Sequence, residues 1–246
     1  MAFKIALSAG HYYNEPGRRC WKQFDPKEHR EWWLNDRIAD KVEKLLKNYT
    51  GYQLIRLDDT TGKKYINLTA RSNASNNFGA DFYLAIHHNG GIKGGKGGGI
   101  VAIAYTYASK ESLDWQKDLY KELIAATGLK GNRASPMPKQ NLHEVREPYA
   151  PAVLLELGFM DSATDVPVII TEKFADQCAA AIVKVIVKRG GLEPKIVAPT
   201  TTGSLYRVFD KDGKQVGAYS NEANAFTQVK KQLQAGGAAK ITLSEK

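Results

Sequence analysis

The sequence predicts an α/β protein with a single twisted, mostly parallel sheet, helices on both faces, and a small C-terminal β-β-α-β module. Strand-like and helix-like patterns alternate through the first 190 residues, which is typical of repeated β-α-β units. Residues 152–157 are almost wholly apolar, as expected of a strand that is buried on both faces. Residues 193–203 contain two prolines and three consecutive threonines, which indicates a linker before a short final segment.

Each element of the first domain is predicted from its hydrophobic spacing. Short apolar runs predict strands at residues 3–7, 52–57, 81–87, 99–105 and 152–157, and a shorter strand at 141–145. Apolar side chains at helical spacing predict helices at residues 28–47, 68–78, 109–127 and 175–188. Gly128 and Gly190-Gly191 follow two of these helices and are typical stop residues.

The segment beyond the linker has a pattern of its own. Residues 205–209 and 215–219 predict two strands joined by a hairpin, because Asp212-Gly213 lies between them. A helix to about residue 234 and a last strand at 239–243 complete the module. We therefore expect domains at residues 1–191 and 204–246, with a linker at 192–203. The module is too short for a large core, so we expect it to bind a partner or a copy of itself.

Composition and charge limit the classes of function. The chain has 246 residues and a net charge of +9. A basic surface favours nucleic acid or another anionic polymer, although solubility alone also explains it. No stretch approaches the roughly 20 apolar residues of a membrane span, and the N-terminal apolar run is too short for a signal peptide. We therefore expect a cytoplasmic protein that stays there unless another factor releases it.

The two cysteines are expected to be free thiols. Cys178 lies in an apolar helical run and is expected to be buried. Cys20 lies in a loop near the candidate site, where a role as a metal ligand is the minor alternative. A disulfide between them is not expected in a cytoplasmic protein.

Three segments that carry histidine or glutamate lie at or near the carboxyl ends of predicted strands. His11 follows Gly10 after the first strand, His87 and His88 lie at the end of the third, and Glu156 lies in the last. Because sheets of this class have their sites at that edge, these side chains are expected to meet. Two histidines and one glutamate form a hydrolytic zinc site, and one more glutamate supplies a base.

The residues alone leave two choices open. His87 and His88 point to opposite faces of a strand, so only one of them can easily face a metal. Glu28 and Glu31 lie on nearly the same face of the predicted helix, and an acid at the start of a helix commonly has no other function.

Glu156 differs from these acids because its neighbours are apolar. A carboxylate in such a strand is costly to bury unless it is paired or used. Desolvation raises the pKa of a buried carboxyl group, which suits a general base that later acts as a general acid.

The glycine-rich segment 94–99 does not fit a phosphate-binding loop. Gly97 follows Lys96 where serine or threonine is needed, and the segment precedes a strand rather than a helix. We expect a flexible loop at the rim of the site.

Residues 1 to about 190 resemble the zinc-dependent N-acetylmuramoyl-L-alanine amidases of the amidase-3 type. That family has Gly-His after its first strand, Glu four residues before Asn on the next helix, an Ile-His-x-Asn strand end and a late Pro-Ala-Val-Leu-x-Glu-x-Gly-Phe. The matching segments here are Gly10-His11, Glu31 with Asn35, residues 86–89 and residues 151–159. In addition, Arg71 and residues 73–76 are similar to the family's helix that precedes the His-x-Asn strand. The resemblance implies that His11, Glu31 and His87 bind zinc and that Glu156 is the catalytic acid and base.

The resemblance also implies a reaction and a substrate. It implies a peptidoglycan hydrolase that cleaves the amide between the lactyl group of N-acetylmuramic acid and L-Ala of the stem peptide with a zinc-activated water. The final segment is loosely similar to sporulation-related peptidoglycan-binding repeats, so we expect it to bind the cell wall, with an anionic wall polymer as one candidate ligand. Ser8 stands where the family commonly has Asp, which weakens any supporting role of position 8 behind the metal ligands.

Two alternatives belong to other classes of function. A zinc carboxypeptidase acting on wall peptides usually has His-x-x-Glu as its first ligand pair, whereas His11 and Glu31 are 20 residues apart. A non-catalytic protein that binds cell wall or nucleic acid would leave Glu156 without a purpose. The expected location fits a phage endolysin released through a membrane pore or an autolysin that acts when a mother cell lyses, and the sequence leaves both open.

Overall fold

The computed structural model describes residues 2–195 and 205–244. The chain divides into two units, Met1–Glu193 and Pro194–Lys246. The strands up to residue 195 are β1 (Phe3–Ala9), β2 (Tyr49–Thr50), β3 (Tyr52–Arg56), β4 (Phe82–Asn89), β5 (Ile100–Tyr105), β6 (Lys139–Gln140), β7 (Ala152–Phe159) and β8 (Glu193–Pro194). The helices are α1 (Glu31–Leu46), α2 (Leu68–Phe78), α3 (Lys110–Thr127), α4 (His143–Arg146), α5 (Val166–Ile169) and α6 (Glu172–Gly190).

Six strands of the first unit form one sheet in the order β3-β1-β4-β7-β5-β6. Strands β3, β1, β4 and β7 run parallel to one another. Strand β5 is antiparallel to β7, and β6 is parallel to β5. Because β5 reverses direction, residues 90–99 can connect it to β4 without a crossover helix. The single, mostly parallel sheet that the sequence predicts is confirmed.

The two faces of the sheet are covered by different helices. Ile5 and Leu7 of β1 belong to a large core with residues of α1, α3 and α6. Ala6 belongs to a smaller core, which includes Val145 of α4 and against which Ala74 of α2 packs. This alternation follows from the two-residue period of a strand, and it confirms helices on both faces.

The strand predicted at residues 141–145 is wrong. Strand β6 ends at Gln140, and the four-residue helix α4 begins at His143. Leu142 and Val145 both contact the smaller core. Apolar residues three positions apart fit one helical turn, so this short run gave an ambiguous signal.

Two helix starts also differ from the prediction. Helix α1 begins at Glu31 rather than at residue 28, because Glu28 has a φ of 49° and cannot continue a right-handed helix. Helix α6 begins at Glu172, three residues earlier than predicted. Its first turn is capped by Thr171, whose side chain accepts a hydrogen bond from the backbone N–H of Phe174.

The second unit has the predicted β-β-α-β order. Its elements are β9 (Leu205–Phe209), β10 (Gln215–Tyr219), α7 (Glu222–Gln234) and β11 (Lys240–Ser244). The strands form an antiparallel sheet in the order β10-β9-β11, with a core of Val208, Tyr219 and Ala225. In the hairpin, Asp210 Oδ1 accepts the backbone N–H of Lys214 at 2.9 Å. The small module that the sequence predicts is thus confirmed as a fold.

Two further expectations concern the chain as a whole. The predicted linker at 192–203 falls largely on residues 196–204, which lie outside the described residues. Across residues 2–195 and 205–244, no helix combines the length and the apolar content that crossing a membrane requires.

Candidate functional site

The turn after β1 brings His11 to the carboxyl edge of the sheet. His11 has a φ of 67°, a left-handed conformation that is uncommon outside glycine. Arg71 of α2 holds this turn by donating to the carbonyl oxygens of Ala9, at 2.6 Å, and His11, at 2.9 Å. Gly10 leaves room for a neighbour, since a Cβ there would lie 2.1 Å from Cε1 of His87. The rings of His11 and His87 consequently come within 5.0 Å, centroid to centroid.

Glu31, the first residue of α1, lies between these two histidines and is only 1% exposed. Its Oε1 is 3.2 Å from Nε2 of His11 and 3.1 Å from Nδ1 of His87. The same oxygen accepts the backbone N–H of His88 at 3.2 Å. Its other oxygen, Oε2, is buried without a hydrogen-bond partner, and Nη1 of Arg18 is 3.9 Å away. The carboxylate therefore keeps one free oxygen beside the histidines.

His11, Glu31 and His87 form a cluster whose potential ligand atoms all lie within 4.8 Å of one another. Although burial acts to raise it, hydrogen bonds from both histidines hold the pKa of the Glu31 carboxyl well below its ordinary range. Although burial acts to lower it, Glu144 and Glu31 raise the pKa of the His87 imidazole to about 10. Such surroundings favour a cation among these groups, either a proton or a metal ion.

The structure shows which histidine of the pair His87 and His88, and which glutamate of the pair Glu28 and Glu31, lies beside His11. His88 points away from His87, and its Nδ1 lies 2.8 Å from Oδ1 of Asn35 in α1. Burial lowers the pKa of the His88 imidazole to about 3. Glu28 lies outside the cluster and pairs with Arg19 at 3.4 Å. His87 and Glu31 are thus the members of each pair that lie beside His11.

Glu156 lies on β7, and its Cα is the register partner of the Cα of His87 on β4. One carboxylate oxygen, Oε2, is buried without a hydrogen-bond partner. Burial raises the pKa of the carboxyl group to about 7, an effect that the charge of His87 partly offsets. Glu156 lines one cavity of about 400 Å³ together with His11, Glu31 and His87. The four residues singled out in the sequence therefore meet in one cavity.

Glu144 also lies in this cavity, and the sequence reasoning missed it. It belongs to α4, is 3% exposed, and its Oε2 is 2.9 Å from Nε2 of His87. Although burial acts to raise it, the hydrogen bond to His87 lowers the pKa of the Glu144 carboxyl to about 2. No sequence motif marks Glu144 as a site residue, because the pattern of residues 141–145 predicts a strand. Its hydrogen-bond partners Ser8 and His87 are also distant in the sequence.

Two other predicted features lie away from the cluster. Cys20 is a buried free thiol and is not a member of the His11, Glu31 and His87 group. The glycine-rich segment 94–99 does not line the cavity, so the expectation that it forms the rim was wrong. Asp165 ties that segment to the end of β7, because its Oδ2 accepts the backbone N–H groups of Gly99 and Phe159.

Comparison with known proteins identifies what this arrangement resembles. A sporulation-specific N-acetylmuramoyl-L-alanine amidase of Bacillus subtilis (strain 168) is 30% identical over 226 residues, which cover 90% of this chain and 77% of that protein. The crystal structure of an N-acetylmuramoyl-L-alanine amidase from Clostridium difficile 630 matches with a TM-score of 0.67 and 26% identity, covering 76% of this chain and 96% of that one. The catalytic domain of the amidase CwlV from Bacillus (Paenibacillus) polymyxa matches with a TM-score of 0.65 and 23% identity, covering 76% and 97%.

A family model described as N-acetylmuramoyl-L-alanine amidase matches residues 5–188. This range contains the whole cavity with its four predicted residues and Glu144. The resemblance seen in the sequence motifs is confirmed, and it favours an amidase over the peptidase and the non-catalytic alternatives. The chain therefore belongs to the amidase-3 family of N-acetylmuramoyl-L-alanine amidases, which are metal-dependent hydrolases of peptidoglycan.

Proposed function

We propose that this protein performs the amidase reaction with a zinc ion held by His11, Glu31 and His87, and with Glu156 as the group that transfers the proton. The bond broken is the amide between the lactyl group of N-acetylmuramic acid and L-Ala of the stem peptide. The observation that carries this proposal is the approach of His11 Nε2 and His87 Nδ1 to one oxygen of Glu31, at 3.2 and 3.1 Å.

The side chains present fit zinc. Two imidazoles and one carboxylate are the ligand set of several hydrolytic zinc sites, which keep one position open for water or substrate. Magnesium and calcium prefer oxygen ligands, so a site with two nitrogen donors disfavours them. The unpartnered Oε2 of Glu31 adds a further acceptor atom that a cation would satisfy. When bound, a zinc ion supplies Lewis acidity, which polarises a carbonyl group and makes water a better nucleophile.

Glu156 is suited to move the proton in this reaction. In its ionised form the carboxylate accepts a proton from the attacking water as the new C–O bond forms. The same proton then goes to the nitrogen of L-Ala as the C–N bond breaks, so that the stem peptide leaves as an amine. A pKa of about 7 lies near neutral pH, where a group can both accept and donate a proton efficiently.

Digestion of purified peptidoglycan tests the proposal as a whole. We expect the enzyme to release stem peptides with new N-terminal L-Ala, which mass spectrometry identifies. A chelator should abolish this release, and added zinc should restore it. Intact lactyl-alanine bonds, or cleavage within the peptide, would contradict the reaction. Activity that survives complete removal of metal would contradict only the proposed metal site and would leave the proposed reaction intact.

We further propose that residues 1–191 are the catalytic domain and that residues 204–246 bind the cell wall. Residues 205–244 carry six basic and three acidic side chains, which supports an anionic wall polymer as the ligand. We expect the full chain to co-sediment with insoluble peptidoglycan more strongly than a chain that ends at residue 195, and this difference should shrink at high salt. Equal sedimentation of the two chains would contradict a wall-binding role for the module.

A further inference from the structure

The imidazole of His87 lies between two carboxylates. Its Nδ1 is 3.1 Å from Oε1 of Glu31, in the cluster with His11. Its Nε2 is 2.9 Å from Oε2 of Glu144, on the opposite edge of the ring. Only Nδ1 therefore faces the proposed metal position, and Nε2 is engaged by Glu144.

Glu144 is itself held in place by buried groups. Its Oε1 accepts hydrogen bonds from Ser8 Oγ at 2.7 Å and from Tyr83 Oη at 2.8 Å. Ser8 Oγ in turn accepts a hydrogen bond from Nη1 of Arg71 at 2.7 Å, so its only proton is free for Glu144. These contacts fix the carboxylate, which leaves Oε2 directed at His87.

The position of the carboxylate determines where the proton of His87 lies. An ionised carboxylate only accepts hydrogen bonds, so the ring nitrogen beside it must carry the hydrogen. Nδ1 faces the carboxylate of Glu31 in the same way, so a bound metal ion would take the place of the hydrogen on Nδ1 and leave the ring as the Nε2–H tautomer. The other tautomer would set the Nε2 lone pair against Glu144 and would protonate the nitrogen that faces the metal position.

We propose that Glu144 is a positioning residue that keeps His87 in the Nε2–H tautomer and aims Nδ1 at the metal. This inference rests on the metal site of the proposed function. Carboxylates that hold the remote N–H of a ligating histidine fix the ring and increase its basicity, and their loss typically lowers metal affinity about 10–100-fold.

His11 offers an internal comparison. Its Nδ1 is 3.1 Å from Oε2 of Glu15, but that oxygen does not reach hydrogen-bond geometry, and the Glu15 side chain is 27% exposed. Glu144 Oε2, by contrast, is hydrogen-bonded to Nε2 of His87 at 2.9 Å and belongs to a buried side chain. We expect Glu15→Gln to weaken zinc binding less than a change at Glu144 does.

The dissociation constant of zinc for the full chain tests this role, measured by competition with a chromophoric chelator. Glu144→Ala should weaken zinc binding about 10–100-fold. Glu144→Gln should lie between that variant and the wild type, because an amide oxygen can still accept from Nε2 but carries no charge. Glu147→Gln, which changes an exposed glutamate just after α4, is the matched control and should bind zinc as the wild type does.

A spectroscopic measurement separates positioning from a merely structural role. In zinc-loaded protein with ¹⁵N-labelled histidine, we expect His87 to show a proton on Nε2 and none on Nδ1, with Nε2–H protected from exchange. Glu144→Ala should lose that protection. A wild-type His87 protonated on Nδ1 would overturn the proposal even if the alanine variant does not fold.

The binding data also distinguish failure of this inference from failure of the metal site. If the wild type binds zinc and Glu144→Ala binds it equally well with an unchanged His87 signal, the role of Glu144 is overturned and the site stands. If the wild type binds no zinc, the site itself is overturned, and the role of Glu144 with it.

Discussion

Glu156→Gln should abolish most hydrolysis while the protein keeps its fold and still binds the proposed zinc ion. Loss of general acid–base catalysis typically lowers a rate about 10²–10⁴-fold, and we expect kcat to fall within that range. The amide is close in size to the carboxyl group but cannot take a proton from water. Turnover on purified peptidoglycan, measured together with bound zinc by elemental analysis, checks both parts of this expectation.

The environment of Glu156 explains why the variant should still fold. Its Oε2 is buried without a hydrogen-bond partner, so the ionised carboxylate is destabilised by the loss of its hydration. Glutamine removes that charge and should not lower the thermal midpoint. Glu111→Gln, which changes an exposed acid in the first turn of α3, is a control that should leave kcat unaltered.

The pH profile gives this prediction a second readout. Because burial raises the pKa of Glu156 to about 7, the carboxylate form is lost as the pH falls through that value. A bound cation nearby stabilises the carboxylate and lowers this pKa, so we expect kcat/KM to fall on the acid side at or below pH 7. Residual activity of Glu156→Gln should lack this acid limb. An unchanged limb in the variant, or near-normal turnover, would exclude Glu156 as the base.

His87→Ala should remove both zinc and activity. The substitution deletes a proposed ligand outright, so zinc affinity should fall by more than the roughly 100-fold that marks the loss of an outer partner. It also leaves Glu144 and Glu31 facing each other without the imidazole that now lies between them, which adds repulsion between buried charges. Zinc content after dialysis and turnover on peptidoglycan measure the two losses.

The adjacent histidine is the matched control. His88 lies on the same strand but faces α1, where its Nδ1 is 2.8 Å from Oδ1 of Asn35. The amide of His88→Gln can donate the same hydrogen bond, so this variant should keep one zinc per chain. Loss of zinc in His88→Gln together with full zinc in His87→Ala would reverse the ligand assignment.

The ends of strands were the part of the site that the sequence could predict. His11, His87 and Glu156 follow or lie in apolar runs, and parallel strands bring their carboxyl ends to one edge. The choice between His87 and His88 needed more than strand period, because the period says that they differ in direction but not which one faces the site. Family motifs supplied that choice, and the observed geometry agrees with it.

The contacts behind the cluster could not be predicted in the same way. Glu144 meets Ser8 across 136 positions of sequence, and its segment is too short to show whether it is strand or helix. The absence of Asp at position 8 argued against a supporting role there, yet the Ser8 hydroxyl donates to a buried carboxylate from α4. Such pairings depend on how elements pack, which neither local pattern nor composition records.

Gly10 shows how selection on this site extends to a residue without a side chain. A methyl group at position 10 and the imidazole of His87 would occupy the same space, although Gly10 follows β1 and His87 lies on β4. Every L-amino acid other than glycine would thus displace the ring even when all the proposed ligands are intact. Positions 10 and 87 are therefore constrained as a pair, one by its volume and the other by its chemistry.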